Sequence, residues 1–304
     1  MFDQKISPML AYTSDPFDSS RYLYEIKWDG TRCILFVQKD HVRLQNRRLA
    51  DITYRYPEFS DCYKVIRAKQ AILDGELIAL TEGKSDFGKL QRREHVSDTL
   101  KAELYAQQMP ATYMAFDVLY TDGENHTQTP LGQRKEILHE LLGDSPYLAE
   151  SRYIEEKGKA VFEQAMGYGL EGVMGKRLDG PYLVGKRSRY WRKIKPKHVA
   201  ICHIIGYTAG RGGRQKFFGA LAIATREEEK WIYRGRVGSG FTEETMGSIQ
   251  ERLSGLKITS PVVRPSKENR EIQWVRPELK CEVTFSEVTS GGHFRAPVFR
   301  RMVN

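Results

Sequence analysis

The chain has 304 residues, 40% hydrophobic and 29% charged, which suits roughly two folded domains and is too apolar for a disordered chain. It carries 48 Lys and Arg against 39 Asp and Glu, a net charge of +9. No apolar run approaches the ~18 residues of a membrane helix, and no apolar leader is visible at the start, so neither a spanning segment nor a signal peptide is expected. Cys33, Cys62, Cys202 and Cys281 lie far apart without zinc-site spacing and read as reduced thiols of a cytoplasmic protein.

In chain order the pattern is mixed α and β. Tyr22–Trp28 and Arg32–Val37 alternate as strands and predict a hairpin around Asp29-Gly30, with His41–Gln45 as a third strand. Pro57 is placed to open a helix with Phe59, Tyr63 and Ile66 on one face. Ala71–Leu80 reads as a buried strand interrupted at Asp74-Gly75-Glu76, and Ala111–Tyr120 as another strand. Thr129-Pro130 caps a helix bearing Leu131, Leu138, Leu141 and Leu142, which Gly143 stops. Lys159–Met166 is helical in pattern, and Glu171–Arg177 is a short strand. Lys195-Pro196-Lys197 marks a boundary, giving domains 1–197 and 198–304. Beyond it Val199–Tyr207, Ala220–Thr225, Trp231–Val237 and Glu282–Glu287 are predicted strands. One helix, capped by Thr242, carries Met246, Ile249 and Leu253 on a face. Short strands with one helix suggest a small barrel, for which the OB-fold is the best candidate.

The charge is concentrated. Gly180–Arg226 holds eleven basic residues and no acid, so the rest of the chain is close to neutral. Tyr182, Tyr190, Trp191, Tyr207, Phe217 and Phe218 interleave with those cations, and a polyanion is the natural partner.

Short strings carry the chemistry. In Glu25-Ile26-Lys27-Trp28-Asp29-Gly30-Thr31-Arg32, strand alternation puts Glu25, Lys27 and Asp29 on one side. A lysine among carboxylates is either a surface ion pair or a nucleophile. A free lysine, with a pKa near ~10.4, becomes nucleophilic only where burial or neighbouring cations lower that value. Leu73-Asp74-Gly75-Glu76-Leu77 sets charges into an apolar strand, which is costly unless they are paired. Phe116-Asp117-Val118-Leu119 places an aromatic in a core strand. In Glu171-Gly172-Val173-Met174-Gly175-Lys176 the two charges fall on opposite faces of an ideal strand, so a bend is needed if both face one ligand. Trp191-Arg192-Lys193-Ile194-Lys195 alternates Lys193 and Lys195 onto one face, a geometry for gripping a phosphate.

In this order and spacing the five strings resemble the motif series of the covalent nucleotidyltransferases: DNA ligases, RNA ligases and mRNA capping enzymes. The first matches their KxDGxR motif, the second their DGE motif and the fourth their EGVMxK motif. Phe87–Arg93 looks like the DNA-ligase segment that follows DGE. Arg47 sits where the family has its SR motif, with Asn46 in place of the serine. Gly291–Phe299 resembles the end of the ligase OB domain. The chain is therefore identified as a member of the ATP-dependent DNA ligase family, most like the small bacterial enzymes and the ligase module of bacterial end joining.

The resemblance implies an α+β nucleotidyltransferase (adenylation) domain of antiparallel sheets and helices, followed by an OB-fold barrel. It implies ATP as cofactor, AMP carried covalently on Lys27, and Mg²⁺ (or Mn²⁺) held by Glu76 and Glu171 directly or through water, with a bond to the ribose as the alternative role of Glu76. Lys176, Lys193 and Lys195 would hold the α-phosphate. Phe116 would stack on adenine, Glu25 accept from its exocyclic amine, Ile26 line the nucleotide site and Arg32 contact the ribose. Asp29 would orient the nick termini. Arg47, Arg211, Arg214, Lys216 and Arg295 are the expected DNA contacts. Nicked double-stranded DNA is the implied partner, with Ku or fused polymerase modules as further candidates, no membrane, and a monomeric state. Two other readings stand beside this one: an RNA ligase or guanylyltransferase with the same lysine chemistry, and a non-catalytic OB-type nucleic-acid-binding protein. The family's last motif, RxDK, finds Val303 at its arginine position, and the sequence stops at Asn304; slow self-adenylation is the expectation that follows.

Overall fold

The computed structural model describes residues 2, 4–263, 271–289 and 291–303. It divides into two compact units, Met1–Lys195 and Pro196–Asn304.

Two sheets form the first unit. One runs in the order Leu10–Thr13, Arg187–Ile194, Val173–Arg177, Ser19–Ile26, Tyr153–Glu156. The other runs His41–Asn46, Thr31–Gln38, Gln70–Thr81, Ala111–Thr121, Glu124–Asn125, with Lys84–Ser85 and Leu148–Glu150 added at its flanks. Pairing is antiparallel except for Leu10–Thr13 on Arg187–Ile194 and Leu148–Glu150 on Ala111–Thr121. The strand Thr31–Gln38 is apolar on both faces and packs two cores. Ile34 and Phe36 point toward the first sheet with Met9, Ile72, Phe116, Tyr182 and Trp191. Cys33, Leu35 and Val37 face the opposite way, into a larger core with Tyr56, Phe59, Leu90, Leu138 and Leu141. Behind the first sheet, the helix Gly158–Gly167 buries Val161 and Ala165 against Tyr24, Val173 and Ile194.

The hairpin expected around Asp29-Gly30 does not form. Ser19–Ile26 pairs with Val173–Arg177 and Tyr153–Glu156, whereas Thr31–Gln38 pairs with His41–Asn46 and Gln70–Thr81. Residues 27–30 cross between the sheets, because each strand already has neighbours on both edges and buries both faces. Gly30 is required at the crossing: a Cβ there would lie 2.2 Å from the Leu77 carbonyl oxygen and 2.9 Å from the Glu76 side chain. The alternation that would have set Lys27 beside Glu25 therefore ends at Ile26.

Other differences are local. Pro57 opens a single 3₁₀ turn, Pro57–Phe59, followed by another at Cys62–Val65, rather than one α-helix. Gln70–Thr81 is one strand, and the expected interruption at Asp74-Gly75-Glu76 is a register shift against Ala111–Thr121 between Asp74 and Gly75. The segment Phe87–Glu94 is a helix capped by Asp86, whose carboxylate accepts from the Lys89 amide at 3.0 Å. Its Arg93 is buried against Glu58 at 2.6 Å. A second helix, Thr99–Gln108, follows.

The second unit is a curled sheet in the order Lys230–Val237, Phe218–Glu227, His198–Ala209, Lys280–Phe285, Val298–Val303. Its outer strands approach each other: Phe294 N–H donates to Arg234 O and Phe299 N–H to Ser239 O, at 2.8 and 3.0 Å. The helix Glu243–Ser254, capped by Thr242, packs Met246, Ile249 and Leu253 into the core. This is a small OB-type barrel. Val303 pairs with Lys280 in the last strand, and Asn304 lies outside the described residues.

The Gly30→Ala substitution is expected to lower the unfolding free energy by about 1–3 kcal/mol, because the crossing has no room for a methyl group. Urea unfolding of both proteins, followed by tryptophan fluorescence, measures it.

Candidate active site

Strand order decides where the reactive charges meet. Val173–Arg177 lies between Ser19–Ile26 and Arg187–Ile194, with Val173 opposite both Ile26 and Ile194. The next residues outward are Lys27 on one side and Lys195 on the other, with Glu171 between them. Glu171 accepts ion pairs from both lysines, one through each carboxylate oxygen. Gly172 bends the chain between Glu171 and the strand Val173–Arg177. Its φ of +151° and its approach to Ile194 O, 2.2 Å from where a Cβ would sit, leave no space for a side chain. Lys27 N–H donates to Gly172 O at 2.9 Å, which fixes the backbone at the end of its strand.

Three cavities open onto Lys27. The widest, about 300 Å³, is lined by Arg32, Arg47, Glu76, Arg187, Trp191, Lys193 and Lys195. A tighter one, about 90 Å³, is lined by Glu25, Ile26, Trp28, Arg32, Glu76, Phe116, Met174, Lys176 and Trp191. The third, about 140 Å³, holds Asp29 with Lys84, Ser85 and Glu171. The first is cationic and suits phosphates. The second is walled by rings and suits a base.

Around the tighter cavity Glu25, Lys176 and Arg32 are ion-paired. Glu25 lies between Lys176, 2.7 Å from its Oε2, and Lys135, on its Oε1. Lys193 and Lys195 line the wider cavity, whereas Lys176 faces Glu25 and the rings. Burial, set against the attraction of Glu25, brings its ammonium down to about 8. Phe116 meets Trp191 edge-on at 6.0 Å, with the Lys176 ammonium 4.0 Å and the Arg32 guanidinium 4.6 Å from its centroid. A base stacking on Phe116 competes with those cations for the ring. Arg32 is held by Asp74 through two 2.5 Å hydrogen bonds, and Asp74 also accepts from Tyr182 at 2.5 Å.

Glu171 pairs with Lys27, and Glu76 lines both the wide and the tight cavity with it. Burial lifts Glu76 from its ordinary 4.5 to about 7, outweighing Arg32 and Lys27, while Asp74 and Glu171 add to the rise. Such a carboxylate is poised to gain from a cation. Among the described residues no three His, Cys, Asp or Glu converge as a metal cage. Two hard oxygen donors nevertheless fit Mg²⁺, which keeps several waters and takes the remainder from phosphates. Lys193 is pushed down by burial and by the cations Arg187, Lys195, Lys27 and Arg47.

The expected DNA contacts are on the surface. Arg47 is exposed at the rim of the wide cavity. In the second unit Arg211 and Lys216 are exposed and flank a 3₁₀ turn, where Arg214 donates to Gly238 O at 2.9 Å. Arg295 pairs with Glu287 at 2.6 Å. Sequence reading missed Lys135, Asp74 as the anchor of Arg32, and Arg187 in the cavity wall. Asp74 carried a signal, a charge in an apolar strand. Lys135 carried none, since a lysine on an amphipathic helix reads as solvated.

Residues 8–195 match the family model of the ATP dependent DNA ligase domain, and 214–303 that of the ATP dependent DNA ligase C terminal region. The chain is 34% identical, over 97% of its length, to the multifunctional non-homologous end joining protein LigD of Pseudomonas aeruginosa, and covers 35% of that protein. It is 31% identical, over 96% of its length, to DNA ligase 1 of Korarchaeum cryptofilum, covering 54% of it. The chain thus spans about a third to a half of these relatives. It superposes on the crystal structure of the ligase domain of Mycobacterium tuberculosis LigD with a TM-score of 0.57 and 27% identity, over 98% of this chain and 95% of that one.

Glu76 makes stability depend on pH. Because its folded pKa is raised, the native state keeps a proton that the unfolded chain has released between about 4.5 and about 7. Its contribution is present below that window and is lost as pH rises through it. In metal-free buffer the Glu76→Gln protein should therefore gain stability relative to the parent between those pH values. Parallel pH profiles in urea titrations would contradict the assignment.

Proposed function

We propose, for a chain that belongs to the ATP-dependent DNA ligase family, that it seals 3′-OH/5′-phosphate nicks in duplex DNA through a lysine–AMP intermediate. The observation that carries this reading is the position of Lys27, where a ring-walled cavity and a cationic cavity meet beside two carboxylates.

Three displacements at phosphorus follow. Lys27 Nζ attacks the α-phosphate of ATP, a P–N bond forms, and pyrophosphate leaves. The ammonium must first give up a proton, and the Glu171 carboxylate in contact with it is the nearest acceptor. The 5′-phosphate of the nick then attacks the lysine-bound AMP and frees the amine. Finally the 3′-OH attacks the activated 5′-phosphate and expels AMP. Such steps need positioning and charge neutralisation more than covalent help. Lys193 and Lys195 hold the phosphate in the wide cavity, with Arg47 and Arg187 at its wall. Phe116, Ile26 and Glu25 receive the adenine, and Arg32 the ribose. Glu76 and Glu171 hold Mg²⁺, which when bound offsets charge on the phosphates. Asp29 orients the nick ends. Arg47, Arg211, Arg214, Lys216 and Arg295 contact DNA phosphates.

The match to proteins named for non-homologous end joining supports a repair role; we further infer a cytoplasmic, nucleoid-associated monomer that works alongside Ku or polymerase modules. No helix among the described residues is long and apolar enough to cross a membrane.

Intact mass after incubation with ATP and Mg²⁺ should show a gain matching AMP, mapped to Lys27. Lys27→Ala should abolish it, and Lys27→Arg should too, because guanidinium keeps its proton at a pKa above ~12. An alanine protein that still labels would overturn the assignment. Binding to a nicked duplex should weaken with salt: if about five cations meet phosphates, log K falls against log salt with a slope of about −4 to −5. Removing Arg211, Arg214 and Lys216 together should reduce that slope and leave self-adenylation within about twofold.

A further inference from the structure

The base-walled cavity has a support that none of the motifs contains. The helix Leu131–Leu141 presents two consecutive, fully buried cations. Arg134 grips Asp117, next to Phe116, through bonds of 2.6 and 2.9 Å. Lys135 grips Glu25, which lines the cavity. Lys135 is 1% exposed and Glu25 is 2% exposed, so neither charge has access to bulk water. The ammonium also donates to Ser151 O at 3.4 Å and lies 5.5 Å from the Tyr153 ring. Tyr153 is the strand neighbour of Glu25.

A carboxyl group buried this deeply favours its neutral form unless cations hold the charge in place. As a neutral acid it could donate a hydrogen bond; as a carboxylate it can only accept. That difference decides which purine is welcome. Adenine offers an exocyclic amine, a donor. Hypoxanthine and guanine offer a carbonyl oxygen there, an acceptor.

We propose that Lys135 is a positioning residue for base selection: its ion pair fixes the Glu25 carboxylate, so that this side chain offers an acceptor oxygen to the purine edge. Lys176 alone is a poorer guarantor, because it also serves the Phe116 and Trp191 rings, 4.0 and 4.6 Å from its ammonium. The inference rests on the reading that Glu25 meets adenine.

The test uses the full chain with Mg²⁺ and three nucleotides: ATP, inosine triphosphate and purine riboside triphosphate, which has no 6-substituent. Formation of the lysine–nucleotide adduct is followed by intact mass, giving kcat and KM for each. Lys135→Met should cut the preference for ATP over inosine triphosphate by about tenfold or more, mostly through the KM for ATP. Purine riboside triphosphate should be used within about twofold of the parent rate. Lys135→Gln, which keeps a donor without the charge, should fall between and serves if the methionine protein does not fold. If neither folds, Glu25→Gln in the presence of Lys135 should narrow the same ratio. An unchanged ratio, or an equal loss on all three nucleotides, overturns the proposal and leaves Lys135 a structural residue. A parent protein that gains no mass with ATP overturns the ligase reading itself.

Discussion

One carboxylate shared by two lysines organises the reactive end of the first unit. Glu171 takes Lys27 on one oxygen and Lys195 on the other, and each of the three lies just outside a strand end. Three adjacent strands of one sheet stop at the same level, so their next residues are forced together. The second sheet supplies Glu76 and Arg32, neighbours across paired strands, because the chain crosses to it at Gly30 within three residues of Lys27. The site is therefore a seam between two sheets, and its width is set by packing of the rings between them.

Burying so much charge has a cost that the interior must offset. Arg93 with Glu58, Arg134 with Asp117, and Glu25 with two lysines sit out of water, and Arg32 pairs with a fully buried Asp74. Such pairs add little net stability over apolar replacements, but losing one partner leaves a stranded charge. Their effect is geometric. Asp74 and Asp117 face each other across neighbouring strands, and each is neutralised by its own arginine from a different direction. The strands that carry Glu76 and Phe116 are thereby held in one arrangement. The reactive groups themselves are only partly covered: Lys27 and Lys195 keep 23% and 37% side-chain exposure, so they can be reached and can move.

Local signals failed where long-range pairing overrode them. Asp29-Gly30 between two alternating runs is a strong hairpin signature, yet the flanking strands belong to different sheets. Pro57 announced a helix and delivered a 3₁₀ turn, although Phe59 and Ile66 of the expected face are buried in the large core and Tyr63 packs against it. Lys176 shares a string with Glu171, but the Gly172 bend and strand alternation send the two to separate partners.

The order and spacing of Lys27, Glu76, Phe116, Glu171, Lys193 and Lys195 were legible in the sequence, because phosphoryl chemistry needs those residue types and short motifs store them locally. Strand cores were legible too, since alternation and apolar runs are local. Which strands share a sheet was not, nor that Lys135 from a distant helix would reach Glu25. Those depend on contacts between segments far apart in the chain, and only the folded chain brings them together.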